Sequence, residues 1–246
     1  MIKSLTTLIF DLDGTLCKYG MELEEGLSRT FSGAGEEELP FGRDEYEDGF
    51  GVEFDKAIDG TIDRPELEFR TRIFLNLLSE TTYDETEIIE LGTRFAAIRE
   101  DSLTLFEEVP ETLEKLTKRF KLGLLTNGPS NLQRRKIEEL SLEGQFDSVI
   151  VSGEHDMAKP DPEIFHVALE DLKSEPENSV YIGNSLQYDV LGANRANIPV
   201  IWRDNGAEEK LEEPSPDMVI NDLSDLFSAN RKNPDRSERE KRRIKT

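Results

Sequence analysis

A single cysteine, Cys17, in 246 residues rules out an intramolecular disulfide framework. Only two histidines occur, His155 and His166, and their spacing is not that of a metal-ligand pair. No stretch approaches the roughly 18 consecutive apolar residues of a membrane-crossing helix, so no membrane partner is expected. The first residues do not read as a secretion signal: Lys3 is the only early charge, and the apolar run 5–10 is short and stops on Asp11. A soluble, cytoplasmic protein is the expectation. Positive charge is also scarce, with 30 Lys and Arg against 53 Asp and Glu, net −23. Dispersed acidity repels phosphate backbones, so nucleic acid is not an expected partner. It suits a highly salted cytoplasm, where an anionic surface keeps a protein soluble at short screening length. An ordinary acidic protein with carboxylates on exposed helix faces has the same composition. The sign reverses only in 228–246, which holds eight Lys or Arg against three Asp or Glu and almost nothing apolar. That segment is expected to be a disordered basic tail, either solvated or in contact with the acidic body or a partner.

The length allows one large domain or a core with an inserted module. The run LTTLIF at 5–10 is apolar and β-rich, and it ends abruptly on Asp11. Four later runs share its character: Leu122–Leu125, Ser148–Val151, Val180–Ile182 and Val200–Trp202. Helical periodicity lies between them, in Glu111–Arg119, Leu132–Leu140 and Asp161–Leu172. In the last of these Asp161 reads as the N-cap and Pro162 as the first helical residue. Strands alternating with helices predict a doubly wound parallel α/β sheet, Rossmann-like, over residues 1–16 and 104–227. Residues 17–103 break the alternation and are too long for one crossover. Leu67–Leu78 and Glu87–Ile98 read as helices, Gly49–Ile58 more weakly so, and Ser32–Asp48 as loop. The segment is expected to be an inserted helical module. Its acidic clusters Glu22–Glu25, Glu36–Glu38 and Asp44–Asp48 are expected to be solvated faces.

Four polar clusters fall where strands end, the place where open α/β sheets bind ligands. The first, Asp11-Leu12-Asp13-Gly14-Thr15, puts two carboxylates on a turn that Gly14 permits. One carboxylate can attack phosphorus, and the other can protonate a leaving oxygen and then activate water. Thr126-Asn127-Gly128 offers a hydroxyl and backbone N–H groups to an anion. Lys159, between Ala158 and Pro160, can set an ammonium over a phosphoryl group. Taken singly, T-N-G is equally a plain turn and Lys159 a surface lysine at a helix start. The fourth cluster, Gly183-Asn184-Ser185-Leu186-Gln187-Tyr188-Asp189, can complete a Mg²⁺ site with Asp11.

In this order the clusters resemble the haloacid dehalogenase-like hydrolase superfamily, over about residues 5–206, including YIGNSLQYDVLGANRANIPVIWRDNG at 181–206. The resemblance implies a phosphatase in which Asp11 forms an aspartyl-phosphate and Asp13 is acid and base. It gives Thr126 a phosphoryl oxygen, with Asn127 and Gly128 beside it, and gives Lys159 the charge on phosphate and nucleophile. Mg²⁺ is expected on Asp11, the Asp13 carbonyl and the fourth loop, through Asn184 or Asp189. About 32 residues separate Asn127 from Lys159, too few for a cap, so the resemblance makes 17–103 the helical cap and a small soluble phosphate ester the substrate. The family's fourth loop usually reads G-D; here it reads Gly183-Asn184, which removes a negative charge and predicts a raised Mg²⁺ requirement. A phosphomutase shares these motifs. A dehalogenase of the superfamily needs no metal and typically lacks the second acid, which here is present as Asp13. A weakened phosphate-binding protein, with Asn184 as the lesion and the tail as its contact, is the alternative outside catalysis. Arg43, Arg64, Arg70 and Arg72 could reach a second anionic group or belong to a solvated face. Cys17 has no electropositive neighbour in sequence, and Trp202 reads as core.

Overall fold

The computed structural model describes residues 5–35, 39–58, 61–206 and 214–228. Its centre is a six-stranded sheet in the order β5-β4-β1-β6-β7-β8. The strands are β1 (Thr7–Phe10), β4 (Lys121–Thr126), β5 (Ser148–Val151), β6 (Ser179–Gly183), β7 (Val200–Arg203) and β8 (Met218–Ile220). Every pairing is parallel. The β1 strand, TLIF, is buried at all four positions because it lies mid-sheet with a layer on each face. Successive residues pack to opposite sides. Leu8, Phe10, Leu122, Leu124, Val180 and Ile182 join Leu113 and Leu116 of α5 (Val109–Leu116). Ile9, Leu125, Tyr181 and Val200 join Ile164, Phe165 and Ala168 of α7 (Pro162–Asp171). The architecture is thus a doubly wound, Rossmann-like α/β sheet. Strand order reverses at β1, so the crevice beyond its carboxyl end is the switch point for a ligand.

All five anticipated strands are present. The sixth, β8, is a half-exposed edge of three residues, too short to register as a hydrophobic run. Two more short strands, β2 (Cys17–Tyr19) and β3 (Leu103–Leu105), form an antiparallel ribbon with Cys17 opposite Leu105 and Tyr19 opposite Leu103. Between them run α1 (Leu23–Ser32), α2 (Arg43–Ile58), α3 (Phe69–Leu78) and α4 (Glu85–Asp101). Cys17 and Leu103 themselves pack into the core of the α/β sheet.

The loop expected over Ser32–Asp48 is corrected: α2 already begins at Arg43, and α1 precedes it. Acidic residues and Gly49 and Gly51 interrupt the apolar rhythm of α2, in which Tyr46 is buried. Two carboxylates fix the later helices. Glu68 caps α3 by accepting from the Arg70 and Thr71 N–H groups, and Asp84 with Glu87 forms a capping box on α4. The four helices share an aromatic core in which Phe31 and Phe74 stack at 5.9 Å and Tyr46 meets Phe95 edge-on at 5.2 Å. Leu132 of α6 (Ser130–Glu139) joins that core, and Arg135 of α6 pairs with Glu100. The Glu24 and Glu47 carboxylates lie exposed and bind Arg43. The Glu36–Glu38 cluster and all of the basic tail except Ser228 lie outside the described residues. Among the described residues no helix is long and apolar enough to cross a membrane.

Candidate active site

Asp11 follows β1 directly and is buried. Its Oδ1 accepts from Lys159 Nζ at 2.7 Å and its Oδ2 from Thr15 Oγ1 at 3.0 Å. Burial pushes the Asp11 carboxyl up to about 7; the Lys159 ammonium pulls it down and Asp189 pushes it up again. The loop can turn this tightly because Gly14 has φ +81° and a Cβ there would lie 2.5 Å from Asn184 Nδ2. From behind, Arg203 donates to the Thr15 carbonyl at 2.5 Å while pairing with Glu108 at 2.7 Å.

Asp13 sits at the edge of the crevice and receives Lys136 Nζ at 2.8 and 2.9 Å and Gln133 Nε2 at 2.8 Å. Burial opposes its ionisation, but these donors outweigh burial and hold the carboxyl below its ordinary value. Gln133 Nε2 also donates to Thr126 Oγ1 at 2.6 Å, linking the second cluster to the first. Neither Gln133 nor Lys136 stands out as a motif. The available signal was their position: α6 buries Leu132, Gln133, Lys136 and Ile137, so two polar groups occupy an otherwise apolar stripe.

The loop after β4 is partly committed elsewhere. The Asn127 side chain accepts from the Lys159 N–H at 3.0 Å and donates to the Lys159 carbonyl at 2.9 Å, clamping that loop in place. The Gly128 N–H donates to Ser152 Oγ at 3.0 Å, so it is not the open anion donor anticipated for it. Lys159 itself is buried and donates to Asp11, to Asp189 Oδ1 at 2.7 Å and to Tyr181 Oη at 3.0 Å. Burial lowers its tendency to hold a proton, yet the two carboxylates prevail and raise it. Tyr181, unflagged in the sequence because it reads as a strand residue, donates to Asp189 Oδ1 at 2.9 Å.

A hard divalent cation needs a carboxylate or two, further neutral oxygens and the substrate's phosphate. Asn184 meets that description in one specific way. Its amide atom nearest the nucleophile loop lies 2.8 Å from the Asp13 carbonyl, 3.1 Å from Thr15 Oγ1 and 3.3 Å from Asp11 Oδ2. With Nδ2 in that place all three are hydrogen bonds. With Oδ1 turned there, the same atoms become an oxygen set for a cation. Trp202 Nε1 holds the Asn184 carbonyl at 2.7 Å and so fixes the residue. Asp189 does not share this arrangement. Its Oδ1 accepts from Lys159 and Tyr181 and its Oδ2 from the Ser185 N–H at 2.9 Å, which leaves it orienting Lys159 rather than facing a metal. Among the described residues no three His, Cys, Asp or Glu side chains gather as a metal cluster. The oxygens near Asn184 that could serve a cation are one carboxylate, one backbone carbonyl and one amide oxygen.

A cleft of about 280 Å³ opens beside Asp13 and Gly14, walled by β2 and by Arg43 and Arg99 of the inserted helices. Cys17 on its floor is buried, and burial pushes the thiol well above its ordinary value, which suits packing rather than reactivity. His166 is half exposed at 3.5 Å from Glu163, away from these groups.

With this geometry established, the relatives are informative. A profile of the haloacid dehalogenase-like hydrolases matches residues 5–197. The chain is 35% identical over 162 residues to a phosphoserine phosphatase of Thermus thermophilus, covering 65% of each protein. It is 34% identical over 126 residues to the N-acylneuraminate-9-phosphatase of Homo sapiens, covering 50% of this chain and 51% of that protein. The matches thus span about half to two thirds of the curated relatives' length. A solved structure of YfnB from Bacillus subtilis, a putative HAD-hydrolase bound to magnesium, has a TM-score of 0.67 at 24% identity, covering 94% of this chain and 100% of that one. That likeness speaks to the fold alone. The profile match extends through all four strand-end clusters, and on it this chain belongs to the haloacid dehalogenase-like hydrolases.

Proposed function

We propose that the chain is a Mg²⁺-dependent phosphatase that hydrolyses a small phosphate monoester through an aspartyl-phosphate on Asp11. In the first step an Asp11 carboxylate oxygen attacks phosphorus, the ester P–O bond breaks, and the leaving oxygen takes a proton from Asp13. In the second, water attacks the acyl phosphate and gives its proton to Asp13, which releases phosphate and restores Asp11. The observation that carries this reading is Asp13 itself, a second carboxylate held at the crevice by Lys136 and Gln133. An ester needs its leaving oxygen protonated; a halide does not. Asp13 is ionised as it stands, and the arrival of a phosphate dianion raises its affinity for the proton it must donate.

Lys159 offsets the charge on nucleophile and phosphoryl group, and Asp189 and Tyr181 keep its ammonium aimed. Thr126, tied to Gln133, holds a phosphoryl oxygen. Asp11, the Asp13 carbonyl and Asn184 would hold Mg²⁺, which supplies Lewis-acid charge stabilisation at the phosphoryl group. Residues 17–103 serve as a cap over the crevice. The activities of these relatives, on phosphoserine, N-acylneuraminate 9-phosphate and glyceraldehyde 3-phosphate, are all on small monoesters and support that substrate class.

Hydrolysis of p-nitrophenyl phosphate with Mg²⁺ tests the proposal. Turnover by wild type and its loss in Asp11→Asn is the expected result; no turnover by pure wild type refutes it. Asn184 favours one second reading, a phosphate-binding protein with a weak metal site. The two separate on the Mg²⁺ titration of wild type against Asn184→Asp. A half-saturating Mg²⁺ concentration about tenfold lower in the variant is expected from the added negative charge. Identical titrations would remove the role given to Asn184.

A further inference from the structure

This protein is short of positive charge, and among the described residues most of its arginines are answered by acids; Arg94, on an exposed helix face, is not. In the inserted helices Arg29 meets Glu25, Arg43 meets Glu22, Glu24 and Glu47, and Arg64 meets Glu66 and Glu85. Arg70 meets Glu68 and Glu100, and Arg72 meets Glu53. Arg99 is different. It is half-buried, lines the cleft beside Asp13, and makes no ion pair among the described residues. One of its amines donates to the Met21 carbonyl, and its guanidinium lies flat on Tyr19, 4.0 Å from the ring centroid. Burial lowers its proton affinity, with the neighbouring Arg70 adding to the effect.

The same ring ties this guanidinium to the chemistry. Lys136 Nζ, which grips Asp13, lies 5.5 Å from the Tyr19 centroid, and Arg70 Nη2 donates to Tyr19 Oη at 2.8 Å. A guanidinium stacked on an aromatic face keeps its N–H edge available for a planar anion, which it grips in bidentate fashion. Lys18, exposed on the same wall, also makes no ion pair among the described residues. Two features limit the anion. The cleft is smaller than the pockets that enclose drug-sized molecules. Its lining also includes Glu22, 3.6 Å from Arg43, which disfavours a dianion.

We infer that Arg99, stacked on Tyr19, is the specificity-determining residue of this site and that the preferred substrate is a small phosphate monoester bearing a carboxylate. This rests on the phosphatase reading above. The phosphate faces Asp11 and Lys159, and the carboxylate reaches past Asp13 to Arg99 and Lys18.

The test compares substrates that differ only in the second anion: O-phosphoserine against O-phosphoethanolamine, and 1,3-propanediol bisphosphate against propyl phosphate. For wild type, kcat/KM is expected to be at least about tenfold higher for phosphoserine than for phosphoethanolamine, carried mainly by KM, as one bidentate charged contact implies. Arg99→Met should bring that ratio close to one, and Arg99→Lys should restore part of it. Arg94→Met, on the exposed face of the same helix, should leave the ratio as it was. Because the readout is a ratio, a general loss of folding cancels. Equal rates on the phosphoserine pair, a ratio that Arg99→Met does not move, or a larger gain from the second phosphate each overturn the inference. Hydrolysis of p-nitrophenyl phosphate distinguishes the two levels. Its absence in wild type fells the phosphatase reading and this inference with it, whereas its presence with no carboxylate preference fells this inference alone.

Discussion

Two buried ion clusters in this molecule have opposite characters. In the crevice of the sheet, Lys159 stands between Asp11 and Asp189, one cation facing two carboxylates. Among the inserted helices, Glu53 stands between Arg72, at 2.9 Å, and Lys56, at 2.9 Å, with Asn76 Nδ2 donating at 2.8 Å. Burial disfavours ionisation of both central carboxylates. At Glu53 the bonds from Lys56, Arg72 and Asn76 win, and the carboxyl lies below its ordinary value. At Asp11 burial wins over Lys159, and the carboxyl is raised. The Glu53 cluster is closed on itself, with its charge answered on every side. The Asp11 cluster leaves a carboxylate of raised proton affinity at a place where a phosphate can arrive. A buried network with every partner satisfied contributes to holding a fold together; one with an excess of charge of one sign is poised for a ligand.

Exchange of function for stability is the way to sharpen this contrast. The largest effect is expected from Asp11→Asn, which should lower kcat by at least about 10⁴-fold, as loss of a covalent nucleophile does. Melting in EDTA should show the same variant as stable as wild type or more so, because an uncomfortable buried charge is gone. A marked loss of Tm would break the comparison. Next, Asp189→Asn should lower kcat about 10²-fold through misaimed Lys159, with the Asp11→Asn and Asp189→Asn effects far from additive in the double variant.

Glu53→Gln should do the reverse. Removing one partner of a buried charge set costs about 3 kcal/mol of unfolding free energy, read from urea melts, while activity at low temperature persists. Its pH dependence has a definite sign. A carboxyl whose folded value is depressed stabilises fully above the ordinary carboxylate range, and that contribution is lost as pH falls through the folded value. The gap between wild type and Glu53→Gln should therefore be full at neutrality and shrink as pH falls below the ordinary carboxylate range. The smallest effect is global: molar KCl should raise the wild-type Tm by about 3 °C, worth roughly 1 kcal/mol, by screening the net charge of −23. A flat melting curve against salt would leave the acidity as ordinary surface composition.

The sheet was legible because parallel strands buried on both faces write themselves as unbroken apolar runs, and Asp11 ends the first of them abruptly. Asp11, Asp13 and Thr126 were legible as candidates for the same reason, each lying at or just past a strand end, while Lys159, farther beyond β5, was legible from its place before the capped helix α7. What escaped is information carried across elements. Gln133 and Lys136 face Asp13 from a helix more than 100 residues away in the chain. Asp189 was legible as a polar residue of the last loop, but its commitment to Lys159 and Tyr181 depends on the space left by Gly183, where a Cβ would meet the Asp189 side chain at 2.4 Å. The inserted helices were the least readable. Their contacts are aromatic and ionic rather than a clean aliphatic stripe; α1 does carry Leu23, Leu27 and Phe31 at helical spacing, but interleaved with Glu24 and Glu25 it read as an acidic face.

The ribbon of β2 and β3 gives the molecule a property of lineage rather than of catalysis. Because Cys17 pairs with Leu105 and Tyr19 with Leu103, the helical segment leaves the sheet and returns to it at adjacent points. A segment whose two ends already touch can lengthen, shorten or be exchanged while the core closes over the same gap, since loop closure depends only weakly on the length enclosed. Arg99 rides on the exchangeable part, and Asp11 on the fixed part. Choice of substrate and choice of chemistry can therefore change independently, with Tyr19 as the one ring that both must accommodate.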